Sequence, residues 1–199
     1  MTTAVPMTIS ADDLLTMPDG DRFELINGEL IERIKGALPV WIAGQVAGFL
    51  MDFSDEDGGL TFGGGASYRC FNDTERVRKS DASYIRPGRL AVIPEGFLEI
   101  PPDLAVEVVS PTDRYREVEQ KAEEYLEAGV VVVWVFNPSN RSVRIFRSDT
   151  MPVQLGPNDE LTAEDIMPGF RCRVSDLFPK VPIVKRTQSQ RADGSGPTR

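Results

Sequence analysis

One carboxylate interrupts an otherwise apolar strand sequence, Leu104-Ala105-Val106-Glu107-Val108-Val109. A lone charge in such a place loses its hydration and demands a cation or hydrogen-bond donor in return. Lys121, in the helical segment that follows, is the candidate cation. Asp81, which opens a second apolar run (Ala82-Ser83-Tyr84-Ile85), is a second acid. Two acids on neighbouring strands with a lysine are the parts of a metal-dependent hydrolase. The 199 residues include no histidine, which excludes Ser-His-Asp triads, histidine bases and the usual zinc sites. Any metal here must be held by oxygen.

The positions of these residues follow from local patterns. Along the strand, Leu104, Val106 and Val108 share one face and Ala105, Glu107 and Val109 the other. Ser110 as cap, Pro111 at the first helical position and Asp113 in the capping-box place predict a helix from about Pro111 to Ala128. Glu117, Lys121 and Tyr125 fall on one of its faces. Packed back across the strand, that helix carries Lys121 toward Glu107. A second reading stays open, in which Lys121 and Glu117 form an exposed ion pair within the charged run Arg114 to Glu124. Asp81 also reads as a turn residue, and Glu107 as one half of a structural ion pair.

The surrounding elements are read in the same way. Ser10 caps a short helix, and Asn27-Gly28 marks a hairpin turn. Apolar residues from Leu38 to Phe53 recur at helical spacing, and Val77 to Ile85 reads as a strand. Pro87 to Pro102 is a proline- and glycine-rich loop that either covers the site or lends Phe97, Leu98 and Ile100 to a homodimer interface. Val130 to Phe136, apolar on both faces, is a central covered strand. Ser142 to Phe146 alternates, and Gly169 to Phe178 closes the fold. Trp41 and Trp134 sit in apolar patterns and are expected in the core. Gly63-Gly64-Gly65 lacks the lysine and hydroxyl of a phosphate loop and reads as a turn or bulge.

Residues 1–184 are expected to form a single domain, and 185–199, without an apolar anchor, a disordered polar tail. Cys70 and Cys172 are far apart and suit a reducing compartment. No signal peptide and no uninterrupted apolar run long enough to cross a bilayer is visible, so a soluble cytoplasmic protein without a membrane partner is expected. Net charge is −9; the tail from Lys185 holds four basic residues and one acid, leaving −12 for the rest. That balance speaks against a broad basic nucleic-acid surface, although Arg69, Arg76, Arg78 and Lys79 form one basic cluster that either touches a nucleic-acid backbone or guards a strand edge.

Taken together, Phe23-Glu24-Leu25-Ile26-Asn27-Gly28-Glu29-Leu30, the Asp81 segment, Val106 to Pro111, Lys121 with Tyr125, Gly129 to Trp134 with Asn137-Pro138, and Pro168-Gly169-Phe170 resemble the Uma-two family of restriction endonucleases, within the PD-(D/E)XK nuclease superfamily. The resemblance spans about Ser10 to Phe178. It implies an α/β, restriction-endonuclease-like fold: a mixed central sheet flanked by helices. It also implies Mg²⁺- or Mn²⁺-dependent hydrolysis of DNA phosphodiesters, with Asp81, Glu107 and the Val108 carbonyl as metal ligands, Lys121 as the cation at the nucleophile, and Glu24 in support. Val109 stands where the wider superfamily has its lysine, and Lys121 matches one displaced onto the next helix. Ser80 replaces a common proline, the helix from Leu38 lacks a histidine often found near its start, and Glu117 replaces an aspartate. A nuclease scaffold kept as a non-catalytic interaction module, and a hydrolase of small phosphoesters or nucleotides, remain as alternatives.

Overall fold

The structure, a computed structural model, describes residues 9–72, 75–111 and 113–183. Ser10 caps α1 (Ala11–Thr16) through a reciprocal capping box with Asp13. A hairpin follows, β1 (Phe23–Ile26) and β2 (Glu29–Glu32), turning at Asn27 and Gly28. Both turn residues have positive φ, 52° and 78°, as a type I′ turn requires. The first long helix, α2 (Ala37–Asp57), is four residues longer at its end than the apolar pattern predicts and stops at Gly58, whose φ of 79° lets the chain leave in the left-handed conformation.

Then come β3 (Leu60–Gly63), β4 (Ser67–Tyr68), β5 (Arg78–Lys79), β6 (Ala82–Ile85) and β7 (Leu104–Val108). The strand expected over Val77 to Ile85 is thus broken at Ser80-Asp81. After β7 the chain forms α3 (Tyr115–Glu127), β8 (Val132–Asn137), β9 (Ser142–Phe146), β10 (Val153–Leu155), β11 (Glu160–Thr162) and β12 (Arg171–Arg173). Helix α3 starts later than the sequence predicts. Asp113 accepts from the Ser110 backbone N–H at 2.8 Å, but this closes a turn, and Arg114 with extended backbone is the residue that precedes the helix.

The central sheet runs β10-β9-β8-β7-β6-β3. Only β7 and β8 are parallel, joined across α3, and every other pair is antiparallel. Alternation then sorts the side chains. Leu104, Val106, Val108, Val132, Trp134 and Phe136 pack against α2 and the C-terminal segment. Ala105, Val133 and Val135 face Val118, Ala122 and Tyr125 of α3. Each such side chain, fully buried, contributes roughly 1.5–3 kcal/mol from removal of apolar surface. The hairpin is tied on separately, by reciprocal Leu25–Val77 backbone bonds of 2.9 Å.

Several expectations need correction. Trp134 is fully buried, but Trp41 is 45% exposed on the outer side of α2. Phe97 and Leu98 are buried within the chain, with Ile100 packed beside Leu98, so they are not free to form a dimer interface. Helix α2 is long and apolar enough to cross a membrane by composition, although it holds no unbroken apolar run of that length. Its Ile42, Val46 and Leu50 are nevertheless buried against the sheet, as in a core helix. The polar tail expected at 185–199 lies outside the described residues.

Candidate active site

Glu107 is held on the α3 side of β7 and is 3% exposed. Its parity places it beside Ala105 on that face, and α3 packs there through Val118, Ala122 and Tyr125. Lys121 belongs to the same helical stripe: 118, 121, 122 and 125 follow the i, i+3, i+4, i+7 spacing of a buried face. The solvated reading of Lys121 is therefore excluded, since its side chain is 4% exposed. Its ammonium lies 2.8 Å from Glu107 Oε1, 2.7 Å from Glu24 Oε1 and 2.6 Å from the Lys79 carbonyl, to which it donates. Glu117, 64% exposed, instead pairs with Arg114.

Glu24 reaches this cluster from β1. It accepts from the Lys79 backbone N–H at 2.8 Å and from Arg78 Nη1 at 3.1 Å, with Arg33 Nε at 3.8 Å. Burial alone would raise its carboxyl, but Lys121, Arg33 and Arg78 outweigh it and hold Glu24 at about 2. Glu107 goes the other way. Burial and the nearby Asp81 charge push it above the usual carboxylate range, against the pull of Lys121, Lys35 and Arg33. Arg33 completes a link between the two acids, with Nη2 3.4 Å from Glu107 Oε2. Burial opposes its charge, yet Glu107 and Glu24 fix it as a guanidinium.

Asp81 sits where β5 and β6 break. Its backbone N–H donates to the Val106 carbonyl at 2.9 Å, and its Oδ2 accepts from the Val108 N–H at 2.7 Å. It is thereby fixed against the end of β7, beside Glu107. The same Oδ2 is paired with Lys35 Nζ, which also donates to the Val108 carbonyl at 2.9 Å. Glu24, Glu107 and Lys121 thus form one paired cluster with Arg33, and Asp81 a second with Lys35 and Val108, the two adjoining at the end of β7, where Val108 follows Glu107. Arg33 and Lys35 were missed. Their signal was alternation: Ile31, Arg33 and Lys35 continue one face past the end of β2, and Ile31 and Arg33 line the site.

A cleft of about 360 Å³ opens over the cluster of Glu24, Glu107, Lys121 and Arg33, with Arg78 and Asp113 also in its wall, while Asp81, Lys35 and Val108 do not line it. No residue of the loop from Pro87 to Pro102 lines it. Of the basic cluster expected near Asp81, only Arg78 is buried, and its three arginines are paired with acids. Arg78 donates to Glu24 and, at 2.5 and 2.8 Å, to Glu124; Arg76 pairs with Glu124, and Arg69 with Asp12 and Glu99. Neither of its two sequence readings holds for Arg78, which neutralises buried acids.

Among the described residues no three carboxylates, cysteines or histidines form a ready-made metal cage. Mg²⁺ does not need one, since one or two carboxylates with waters and substrate phosphate oxygens suffice. The donors fit that requirement: Asp81 Oδ2 and the Val108 carbonyl already converge on one cation, the Lys35 ammonium. Glu107 Oε1 is buried and has no aligned hydrogen-bond donor.

A family model described as "Uma2: Putative restriction endonuclease" matches residues 11–175. Among solved structures, a protein described as a putative nuclease belonging to DUF820, from Anabaena variabilis, superposes with a TM-score of 0.73 at 19% identity. The match covers 85% of this chain and 97% of that one, and at such identity it speaks for the fold. No curated protein matches the chain.

Proposed function

Because the chain belongs to the Uma2 family of restriction-endonuclease-like proteins, we propose that its site hydrolyses DNA phosphodiesters with the help of Mg²⁺ or Mn²⁺. The observation that carries this reading is the convergence of Asp81 Oδ2 and the Val108 carbonyl on one cation position beside the buried Glu107. Asp81, Glu107 and the Val108 carbonyl would hold the metal. Once bound, it supplies Lewis-acid polarisation of the phosphate and an acidified water.

The chain's own residues do the remaining work. Lys121 donates to the Lys79 carbonyl and is ion-paired with Glu24 and Glu107, three oxygens within 2.8 Å. In this arrangement it fixes the orientation of Glu107 and Glu24, and reaches a substrate oxygen only by giving up one of them. Glu24, held at about 2 by Lys121, Arg33 and Arg78 against the cost of its burial, pairs with that lysine as a carboxylate. Arg33, with a side chain 22% exposed at the cleft, is placed to meet a phosphate.

The interaction-module alternative draws on the acidic balance of the chain and on the pairing of Arg69, Arg76 and Arg78 with acids, since DNA affinity rests mainly on phosphate contacts. The deciding experiment offers supercoiled plasmid, single-stranded DNA and a nucleoside triphosphate separately with Mg²⁺, using wild type and Glu107→Gln. Plasmid nicking lost in the variant supports the nuclease. Turnover of the nucleotide alone selects the small-phosphoester hydrolase, and no turnover by a folded protein selects the module.

A further inference from the structure

We propose that Lys35 is a tethered competitor for the divalent cation: its ammonium fills the metal position and must leave before a metal enters. The proposal rests on the metal-site reading above and concerns what guards that site. Lys35 Nζ is paired with Asp81 Oδ2 and donates to the Val108 carbonyl at 2.9 Å. These are two of the three oxygens assigned to the metal. An ammonium and Mg²⁺ ask for the same donors, and Mg²⁺ takes them at about 2.0–2.1 Å, so the two cannot share the position.

The surroundings explain why a cation is kept there and how it can withdraw. Without one, the Asp81 carboxylate would lie beside Glu107, whose own ionisation Asp81 already opposes, with the more distant Arg33 charge to balance it. The Val108 N–H is the other donor to the same Asp81 oxygen. Lys35 is carried by the connection between β2 and α2, not by either element. In that connection Ile34 is 70% exposed, and a Cβ placed on Gly36 would meet nothing within 4 Å. The Lys35 side chain itself is 14% exposed, so withdrawal of the ammonium draws on the freedom of this connection, and the apolar clusters on the two sheet faces do not include it. Lys121 has no such freedom, being enclosed by α3, β1 and β5.

Competition of this kind lowers apparent metal affinity by the fraction of time the position is open. A lysine that holds it nine-tenths of the time costs about tenfold. The test is Mn²⁺ titration by calorimetry on the full chain in four forms: wild type, Lys35→Met, Arg33→Met and Asp81→Asn, with Lys35→Gln as a second replacement should the methionine variant fail to fold. Arg33→Met removes one positive charge from the same acids and leaves the Lys35 bridge in place, so it reports the electrostatic field alone. The expected result is an affinity about tenfold or more higher in Lys35→Met, a smaller gain in Arg33→Met, and loss of binding in Asp81→Asn. Binding by Lys35→Met where wild type shows none is the same result at its limit. Equal affinity in wild type and Lys35→Met, or equal gains in the two cation variants, overturns the competition while leaving the metal site standing. Folded wild-type and Lys35→Met proteins that both ignore Mn²⁺ overturn the competition and the metal site together.

Discussion

Replacing Lys121 by methionine keeps most of the stem and removes the cation that lies nearest to both Glu24 and Glu107, at 2.7 and 2.8 Å. The loss falls unequally on the two acids. Glu24 keeps Arg78 at 3.1 Å and Arg33 at 3.8 Å, whereas Glu107 keeps Arg33, at 3.4 Å on its other oxygen, and the more distant charge of Lys35. Both are nearly inaccessible, at 1% and 3%. Breaking a buried pair by removing one partner costs about 3–5 kcal/mol. For a domain of this size each kcal/mol lowers the melting temperature by roughly 2–4 °C, so a fall of about 6–20 °C is expected at pH 7.5. Because burial already favours the neutral form of Glu107, the deficit should shrink as pH is lowered and Glu107 takes up a proton. Urea denaturation of wild type and Lys121→Met at pH 7.5 and 5.5 measures both effects. Adding Glu107→Gln to Lys121→Met should return at least about 1 kcal/mol at pH 7.5, since the two residues touch and their effects do not add. A deficit under about 1 kcal/mol, unchanged with pH, is what an exposed surface pair gives and would refute the buried cluster.

Other expectations follow from the same geometry. Glu24, at about 2 against an ordinary 4.5, contributes about 3 kcal/mol by linkage, fully present above pH 4.5 and lost as pH falls toward 2. Urea midpoints between pH 5 and 2.5 should therefore fall less steeply in Glu24→Gln than in wild type; parallel curves would contradict this. Glu107 is raised, so its ionisation opposes folding as pH climbs above 4.5 toward its folded value. The melting temperature of Glu107→Gln relative to wild type should accordingly increase with pH, and a difference that stays flat would remove the burial penalty inferred for Glu107. Trp134→Ala should cost about 3–5 kcal/mol, while Trp41→Ser, on the exposed side of α2, should cost under about 1 kcal/mol; equal losses would place Trp41 in the core after all.

Glu107 could be found from sequence because its chemistry conflicts with its neighbours: a carboxylate at an inward strand position has to be answered. The Asn27-Gly28 turn and the Val132–Asn137 strand were legible for equally local reasons, positive φ in one and apolar residues on both faces in the other. The start of α3 was not. Ser110, Pro111 and Asp113 spell a capping box, yet the Asp113 carboxylate closes a turn ahead of the helix. Lys121 is singled out by the sequence as the cation for Glu107, but a solvated reading stays open because its neighbours in the chain are charged; the stripe Val118, Ala122 and Tyr125 that runs through its position decides for burial. Arg33 and Lys35 carry only a weak alternation signal, Arg78 reads as part of a surface basic cluster, and Glu124 lies unmarked in a charged run. Their roles exist only once β1, β2, β5 and α3 converge, a tertiary fact that local pattern does not carry.

The account stands on the joint role of Asp81 and Glu107. Its most direct test follows Mn²⁺ binding and plasmid nicking in parallel, for wild type and the Asp81→Asn/Glu107→Gln double variant, with folding verified by thermal melting. Wild type that binds the ion and nicks DNA, beside a folded double variant that does neither, is the predicted result. Nicking that persists in the folded double variant would contradict the account and place the chemistry elsewhere on the molecule.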